Sequence, residues 1–340
     1  MIEAVHPFSD EQLRVAANLQ QHYETWIETE RALAALPYGM LWKTVSGRSY
    51  LYAMADRRGN GTSLGPRSPE TEARYQAYQS EKARLQDRRR SGGDRLAETC
   101  RLYRALRLPM IASEAAKILR EADRRQLLGS HLLVIGTNAM AAYALEAGGR
   151  IGDAPDATDD FDLAWAGREE ATDDIDDRTT LWGLLKAVDA TYTVNTERTF
   201  QARNSKAYEV EVLAAPSRIE GLRRRRDRPV PVPLPEQEWL LLGEPLGRVV
   251  VARDASPARI VAPDPRWFAL QKLWLADQAK RDSLKRRKDS IQGAALLSAL
   301  REAMPRFGLD RAFESGIPDE LLPYYEAWKT GTAGRIERDW

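Results

Sequence analysis

The sequence predicts an α+β fold, a mixed β-sheet core flanked by helical N- and C-terminal regions. Three observations carry this. Long stretches of helical periodicity occupy residues 9–36 and 69–108 and return after residue 265. Between them, from His131, short apolar runs alternate with helical segments. A proline-rich connector, Pro229-Val230-Pro231-Val232-Pro233-Leu234-Pro235, then separates the alternating region from the C-terminal third of the chain. The expected organisation is a helical N-terminal region with a small β-hairpin over 1–112, a mixed-sheet core over 113–228, and short strands with a helical region over 229–340.

Each element has a local reason. In 9–36 Leu13, Ala16, Leu19, Tyr23, Trp26, Ile27 and Leu33 recur at helical spacing, and Pro37 ends the run. Residues 40–54 read as a hairpin turning at Ser46-Gly47, with a further turn at Gly59-Asn60-Gly61. Ser68-Pro69 is a helix start, a capping hydroxyl followed by proline at the first helical position. That helix is expected to break at Ser91-Gly92-Gly93-Asp94 and resume to Leu108, and Ser113 is expected to cap a helix ending near Gly129. Strands are expected at 131–135, 160–166, 191–194, 198–202 and 207–213, with helices at 138–147 and 179–189. Past the connector, VVVAR and ARIVA read as short strands, Pro265 opens a helix, and further helices run over 284–302 and 318–328.

Composition narrows the chemistry. A chain of 340 residues with 43% hydrophobic content and 9 tryptophans can bury substantial cores. Lysine plus arginine (51) nearly cancel aspartate plus glutamate (50), so nucleic-acid binding gains no support from overall charge. The opening MIEAVHPFSDEQ lacks the pattern of a signal peptide, no run approaches a membrane span, and a cytoplasmic location is expected. A single cysteine, Cys100, cannot form an internal disulfide and reads as a packing residue. His6, His22 and His131 are scattered, which argues against a clustered histidine metal site or a Ser-His-Asp triad.

The chemistry-bearing positions lie in the alternating region. The strand Asp160-Phe161-Asp162-Leu163 places Asp160 and Asp162 on one face and Phe161 and Leu163 on the other. Two carboxylates held that close repel each other, and a hard divalent cation is their natural partner. Upstream, Gly136-Thr137 sits where an apolar strand feeds a helix, so backbone N–H groups can approach a phosphate. Tyr208-Glu209-Val210-Glu211-Val212 supplies further carboxylates; Glu209 and Glu211 share a face, and one or both could meet the aspartate pair across the sheet. Thr172-Asp173-Asp174-Ile175-Asp176 nearly repeats the aspartate motif, but it runs into polar sequence and reads as a loop capping the next helix.

Gly136-Thr137, then Asp160-Phe161-Asp162-Leu163, then Glu211 between apolar residues resembles the polymerase-beta-like nucleotidyltransferase superfamily. The runs VIGTNAMAAYALEAGGRI, ATDDFDL, APDPRWFALQKLWLA and KRRKD are similar to its bacterial NTP_transf_8 type. The likeness spans about residues 110–300. It implies a nucleotidyltransferase-like core that moves a nucleoside monophosphate from an NTP, ATP among them, to an acceptor hydroxyl with release of pyrophosphate. Asp160, Asp162 and Glu211 would be catalytic and would bind two Mg²⁺ ions, with Mn²⁺ an acceptable substitute. Gly136, Thr137 and Lys272 would bind the nucleotide; Lys288 and Asp289 match a further family motif without a defined role. Threonine replaces the usual glycine or serine at position 137, 22 residues separate Thr137 from Asp160, and the third carboxylate is glutamate where aspartate is common.

The acceptor is left open among tRNA or other RNA, protein and small molecules. Basic runs at 223–228 and 280–288, the latter with six cations against one acid, are the RNA-binding candidates. An antitoxin-like partner is a further expectation, and no membrane partner is expected. The competing reading is a non-catalytic nucleotide- or partner-binding protein that keeps the fold; a phosphohydrolase or nuclease using the same carboxylates is a third.

Overall fold

The computed structural model describes residues 4–152, 160–167, 180–219 and 227–331, without the side chain of Asp160. The chain divides into two compact units, residues 20–99 and residues 1–19 with 100–340. The fold is α+β, as the sequence predicts.

Along the chain run β1 (Val5–Pro7), α1 (Asp10–Ala35), β2 (Gly39–Val45), β3 (Arg48–Met54), β4 (Gly61–Pro66), α2 (Pro69–Ala105), β5 (Met110–Ile111), α3 (Ser113–Arg124) and β6 (Leu132–Val134). A short 3₁₀ turn, Gly136–Ala139, leads into α4 (Met140–Glu146), followed by β7 (Gly149–Ile151), β8 (Asp160–Trp165), α5 (Leu181–Val188), β9 (Thr193–Val194), β10 (Gln201–Arg203) and β11 (Glu209–Ala214). The last part holds β12 (Val232–Pro233), β13 (Leu246–Ala252), β14 (Pro257–Ala262), α6 (Pro265–Ala276), α7 (Ser283–Ala303), α8 (Arg311–Ser315) and α9 (Leu322–Lys329).

In the smaller unit, β2, β3 and β4 form an antiparallel sheet. The hairpin turns at Ser46-Gly47, both with positive φ, as the sequence predicts. The third strand, β4, is not predicted, because its sequence GTSLGP lacks apolar alternation; it is held by main-chain pairing to β3. Helix α2 corrects a second expectation. It runs unbroken for 37 residues through Ser91-Gly92-Gly93-Asp94. Two glycines cost about 1 kcal/mol each in a helix interior, but the buried stripe Leu85, Leu96, Cys100 and Tyr103 continues on both sides and holds the register.

In the larger unit the central sheet has the order β6-β8-β11-β10-β9. β8 and β11 are parallel, while β6 on one side and β10 on the other run antiparallel. β12 pairs with β11 at Leu213 and Ala214, beyond the stretch that β10 occupies, so the proline-rich connector contributes a strand. One face of the β8/β11 pair is apolar: Phe161, Leu163, Trp165, Val210, Val212 and Ala214 are all fully buried. A second sheet, β14-β13-β5, joins the same core.

Caps explain several helix starts. Asp264 accepts from the Arg266 N–H ahead of Pro265 at the start of α6, and Asp282 accepts from the Leu284 and Lys285 N–H groups on α7. At α5 the Thr180 hydroxyl accepts from Gly183 N, and the Asp227 carboxylate accepts from Leu181 N and Trp182 N. Ser113 does not cap α3 by its side chain; Ala112 is the N-cap, and Ser113 Oγ accepts instead from Asp254 N.

Because the apolar face of β8 sets its orientation, Phe161→Ala should cost about 3–5 kcal/mol of stability by denaturant unfolding. Glu209→Ala, on the opposite face, should stay within about 0.5 kcal/mol.

Candidate functional site

With Phe161, Leu163, Val210 and Val212 turned into the core, strand alternation sends residues 160, 162, 209 and 211 to the other face. The parallel register then fixes neighbours: Asp162 lies beside Glu211, and Asp160 beside Glu209. Asp162 and Glu211 are both half-buried.

Gly136 completes one wall. Its φ is +66°, a conformation that favours glycine. A Cβ at this position would also collide with the Asp162 carboxylate. The neighbouring Ile135 N–H donates to the Asp162 carbonyl at 3.1 Å, so the Gly136 turn and the carboxylate strand are locked edge to edge. Thr137 is buried, and its hydroxyl accepts from Gln292 Nε2 on α7 at 3.4 Å.

The two glutamates on β11 have different surroundings. Glu209, half-buried, faces its cross-strand partner Arg203, which is exposed, at 3.6 Å. Glu211 faces Gln201, which is buried and donates from Nε2 to Glu211 Oε1 at 2.5 Å. The orientation of that amide comes from a chain of bonds. Asn195 Oδ1 accepts the N–H groups of Glu197 and Arg198, so its Nδ2 is left to donate, and it donates to Gln201 Oε1 at 3.1 Å. Gln201 therefore presents N–H to the carboxylate. Sequence reasoning misses Gln201; its only signal there is an uncharged polar residue in a short strand that pairs with the one carrying Glu211.

Lys272 is buried on α6, with Nζ 2.6 Å from Asp289 Oδ1, and Arg281 reaches Asp289 Oδ2 from Nε at 2.9 Å and Nη2 at 2.8 Å. Burial pulls the lysine below its ordinary 10.5; Asp289 opposes this, as does the charge of Asp162 to a smaller extent. Asp289 and Gln292, three residues apart on α7, thus serve Lys272 and Thr137 respectively. Of the basic run 280–288, Arg281 is committed to this ion pair. Arg223 to Arg226 lie outside the described residues, as do residues 172–176; Arg228 is exposed.

Among the described residues no three His, Cys, Asp or Glu side chains gather as a metal cluster, and the Asp160 side chain is outside that set. The two carboxylates that are described, Asp162 and Glu211, sit in register beside a glycine that leaves Asp162 room. This all-oxygen donor set fits a hard cation such as Mg²⁺. None of the described helices is long and apolar enough to cross a membrane.

Removing the counter-charge of the buried lysine gives a stability test. Asp289→Asn should cost about 3–5 kcal/mol, because it leaves a buried ammonium without its carboxylate. The variant lowers the folded-state pKa of Lys272 further. Between that value and 10.5 the unfolded chain holds more protons, so stability rises with pH there. The deficit relative to wild type, measured by urea unfolding, should be full below the variant's Lys272 pKa and narrow as pH rises from that value to the wild-type one, which itself lies below 10.5.

No curated protein and no solved structure matches the chain. The nucleotidyltransferase family NTP_transf_8 matches residues 113–318, more than half of the chain and a stretch that holds the Gly136 turn, β8, β11, Lys272 and Asp289. By that match the chain belongs to the NTP_transf_8 nucleotidyltransferases and is a transferase enzyme.

Proposed function

We propose that the chain is a Mg²⁺-dependent nucleotidyltransferase that moves a nucleoside monophosphate from an NTP to an acceptor hydroxyl and releases pyrophosphate. The observation that carries the reading is the register of β8 and β11, which sets Asp162 beside Glu211 next to the Gly136 turn. Asp160, Asp162 and Glu211 would hold the metal. Glu211 is favoured over Glu209 because Gln201 orients it, whereas Glu209 is engaged by a surface arginine. Mg²⁺, when bound, supplies charge neutralisation on the triphosphate and lowers the pKa of the acceptor hydroxyl.

The chain's own groups do the rest. Gly136 has no side chain, so the backbone at Thr137 can lie close to a phosphate. Gln292 fixes the Thr137 hydroxyl, and Lys272, held by Asp289, contributes positive potential. The acceptor oxygen forms a bond to the α-phosphorus as the bond to the β-phosphate oxygen breaks, and its proton leaves to solvent. The acceptor is RNA, protein or a small molecule, and for RNA the runs 223–228 and 280–288, apart from Arg281, are the candidate phosphate contacts.

Incorporation from each of four α-labelled NTPs into total RNA, the protein itself and a small-molecule extract, with Mg²⁺, tests the proposal. Wild type should transfer label, and Asp160→Ala/Asp162→Ala should lose at least about 10²-fold. Nucleotide binding without transfer, unchanged in the double variant, would favour a non-catalytic nucleotide-binding protein.

A further inference from the structure

The sheet of the smaller unit has two unlike faces. On one, Trp42 meets Tyr75 of α2 with ring centroids 6.0 Å apart, and Leu51, opposite Trp42, is fully buried. The other face carries the cross-strand pairs Leu41 with Tyr52, Lys43 with Tyr50, and Val45 with Arg48. It is open: Leu41 is 38% and Val45 48% exposed, Arg48 is exposed, and the two tyrosines are half-buried. The Lys43 ammonium lies 4.8 Å from the centre of the Tyr52 ring.

Charge points to the occupant. Residues 38–66 hold Lys43, Arg48, Arg57 and Arg58 against the single acid Asp56, within a chain of net charge +1; Arg67, next along, stacks on Trp42 of the other face and pairs with Glu72. Beside the sheet, Arg57 stacks on the exposed ring of Tyr38 and donates to its hydroxyl at 2.7 Å. An edge strand such as β2 that exposes leucine and valine invites association, and natural proteins keep such surfaces apart with charge. Here the charge is of one sign and interleaved with aromatic rings.

We infer that this face binds single-stranded RNA, which is then the acceptor in the transfer reaction proposed above, a reading on which the acceptor role rests. Tyr50 and Tyr52 stand about 7 Å apart along β3, each able to stack a base. Lys43 and Arg48 alternate with them and neutralise the backbone phosphates. A duplex keeps its bases inside and offers this face only phosphates, so an unpaired strand is the better match. In the reaction the terminal RNA hydroxyl forms the new phosphorus–oxygen bond, the α–β linkage of the NTP breaks, pyrophosphate departs, and the hydroxyl proton passes to solvent.

Fluorescence anisotropy of the full chain with a labelled twelve-nucleotide oligouridylate tests this, with an RNA duplex of equal length as comparison. The single strand should bind more tightly than the duplex. Tyr50→Ala/Tyr52→Ala should weaken it about tenfold or more, and Tyr50→Phe/Tyr52→Phe, which keeps the rings, should restore it. Lys43→Glu/Arg48→Glu should weaken binding and flatten its dependence on salt. Equal affinity for duplex and single strand, or alanine variants that bind like wild type while matching its thermal unfolding, would overturn the inference. So would failure to bind RNA together with a dimer that Leu41→Asp/Val45→Asp splits, which would make the face a self-association surface. The two proposals fail separately. Asp160→Ala/Asp162→Ala should still bind the oligonucleotide; label transfer to a non-RNA acceptor would remove the acceptor role of RNA and leave the catalytic reading, and RNA binding without transfer would remove the catalytic reading together with the acceptor role that rests on it.

Discussion

The larger unit turns on two parallel strands aligned so that Asp162 stands beside Glu211. Like charges directly opposite each other weaken a sheet, and the pairing persists because the other face of the same strands is fully apolar. Phe161, Leu163, Val210 and Val212 bury completely only in one register modulo two residues. A slip of one residue would bring the carboxylates into the core, so hydrophobic burial on one side fixes the charge arrangement on the other. A bound cation is the natural means of offsetting the remaining repulsion.

Around this pair the protein places buried polar groups, and each has a partner that explains it. Gln201 is held by Asn195 and turned toward Glu211, while Asp289 accepts from both Lys272 and Arg281. Buried ion pairs of this kind contribute little net stability, but losing one partner is costly. The glycine at 136 answers the same shortage of space: the Asp162 carboxylate lies where any side chain would project.

Much of this is legible in the sequence because it depends on short periods and turn residues. The Asp-Phe-Asp alternation, the apolar strand ending at Gly136, and Pro265 as a helix start all depend on neighbours in the chain. The illegible part depends on partners far away. Gln201 matters only because β10 folds back on β11, and Gln292 only because α7 packs near the Gly136 turn, 155 residues earlier. Strand β4 has no pattern of its own and exists because β3 offers it hydrogen bonds. Local propensity reads the glycines in α2 as a break, and burial along the stripe from Leu85 to Tyr103 overrides that. The choice between Glu209 and Glu211 likewise stays open in the sequence, since both share a face and only cross-strand partners distinguish them.

Whether in-register Asp162 and Glu211 form one cation site is read out by titrating Mn²⁺, as a probe for Mg²⁺, into wild type, Asp162→Asn, Glu211→Gln and Glu209→Gln by calorimetry. Wild type should bind saturably, Asp162→Asn and Glu211→Gln should each weaken binding by at least about tenfold, and Glu209→Gln should be indistinguishable from wild type. Binding lost in Glu209→Gln and kept in Glu211→Gln, or unaffected by all three substitutions, would contradict a joint site of Asp162 and Glu211.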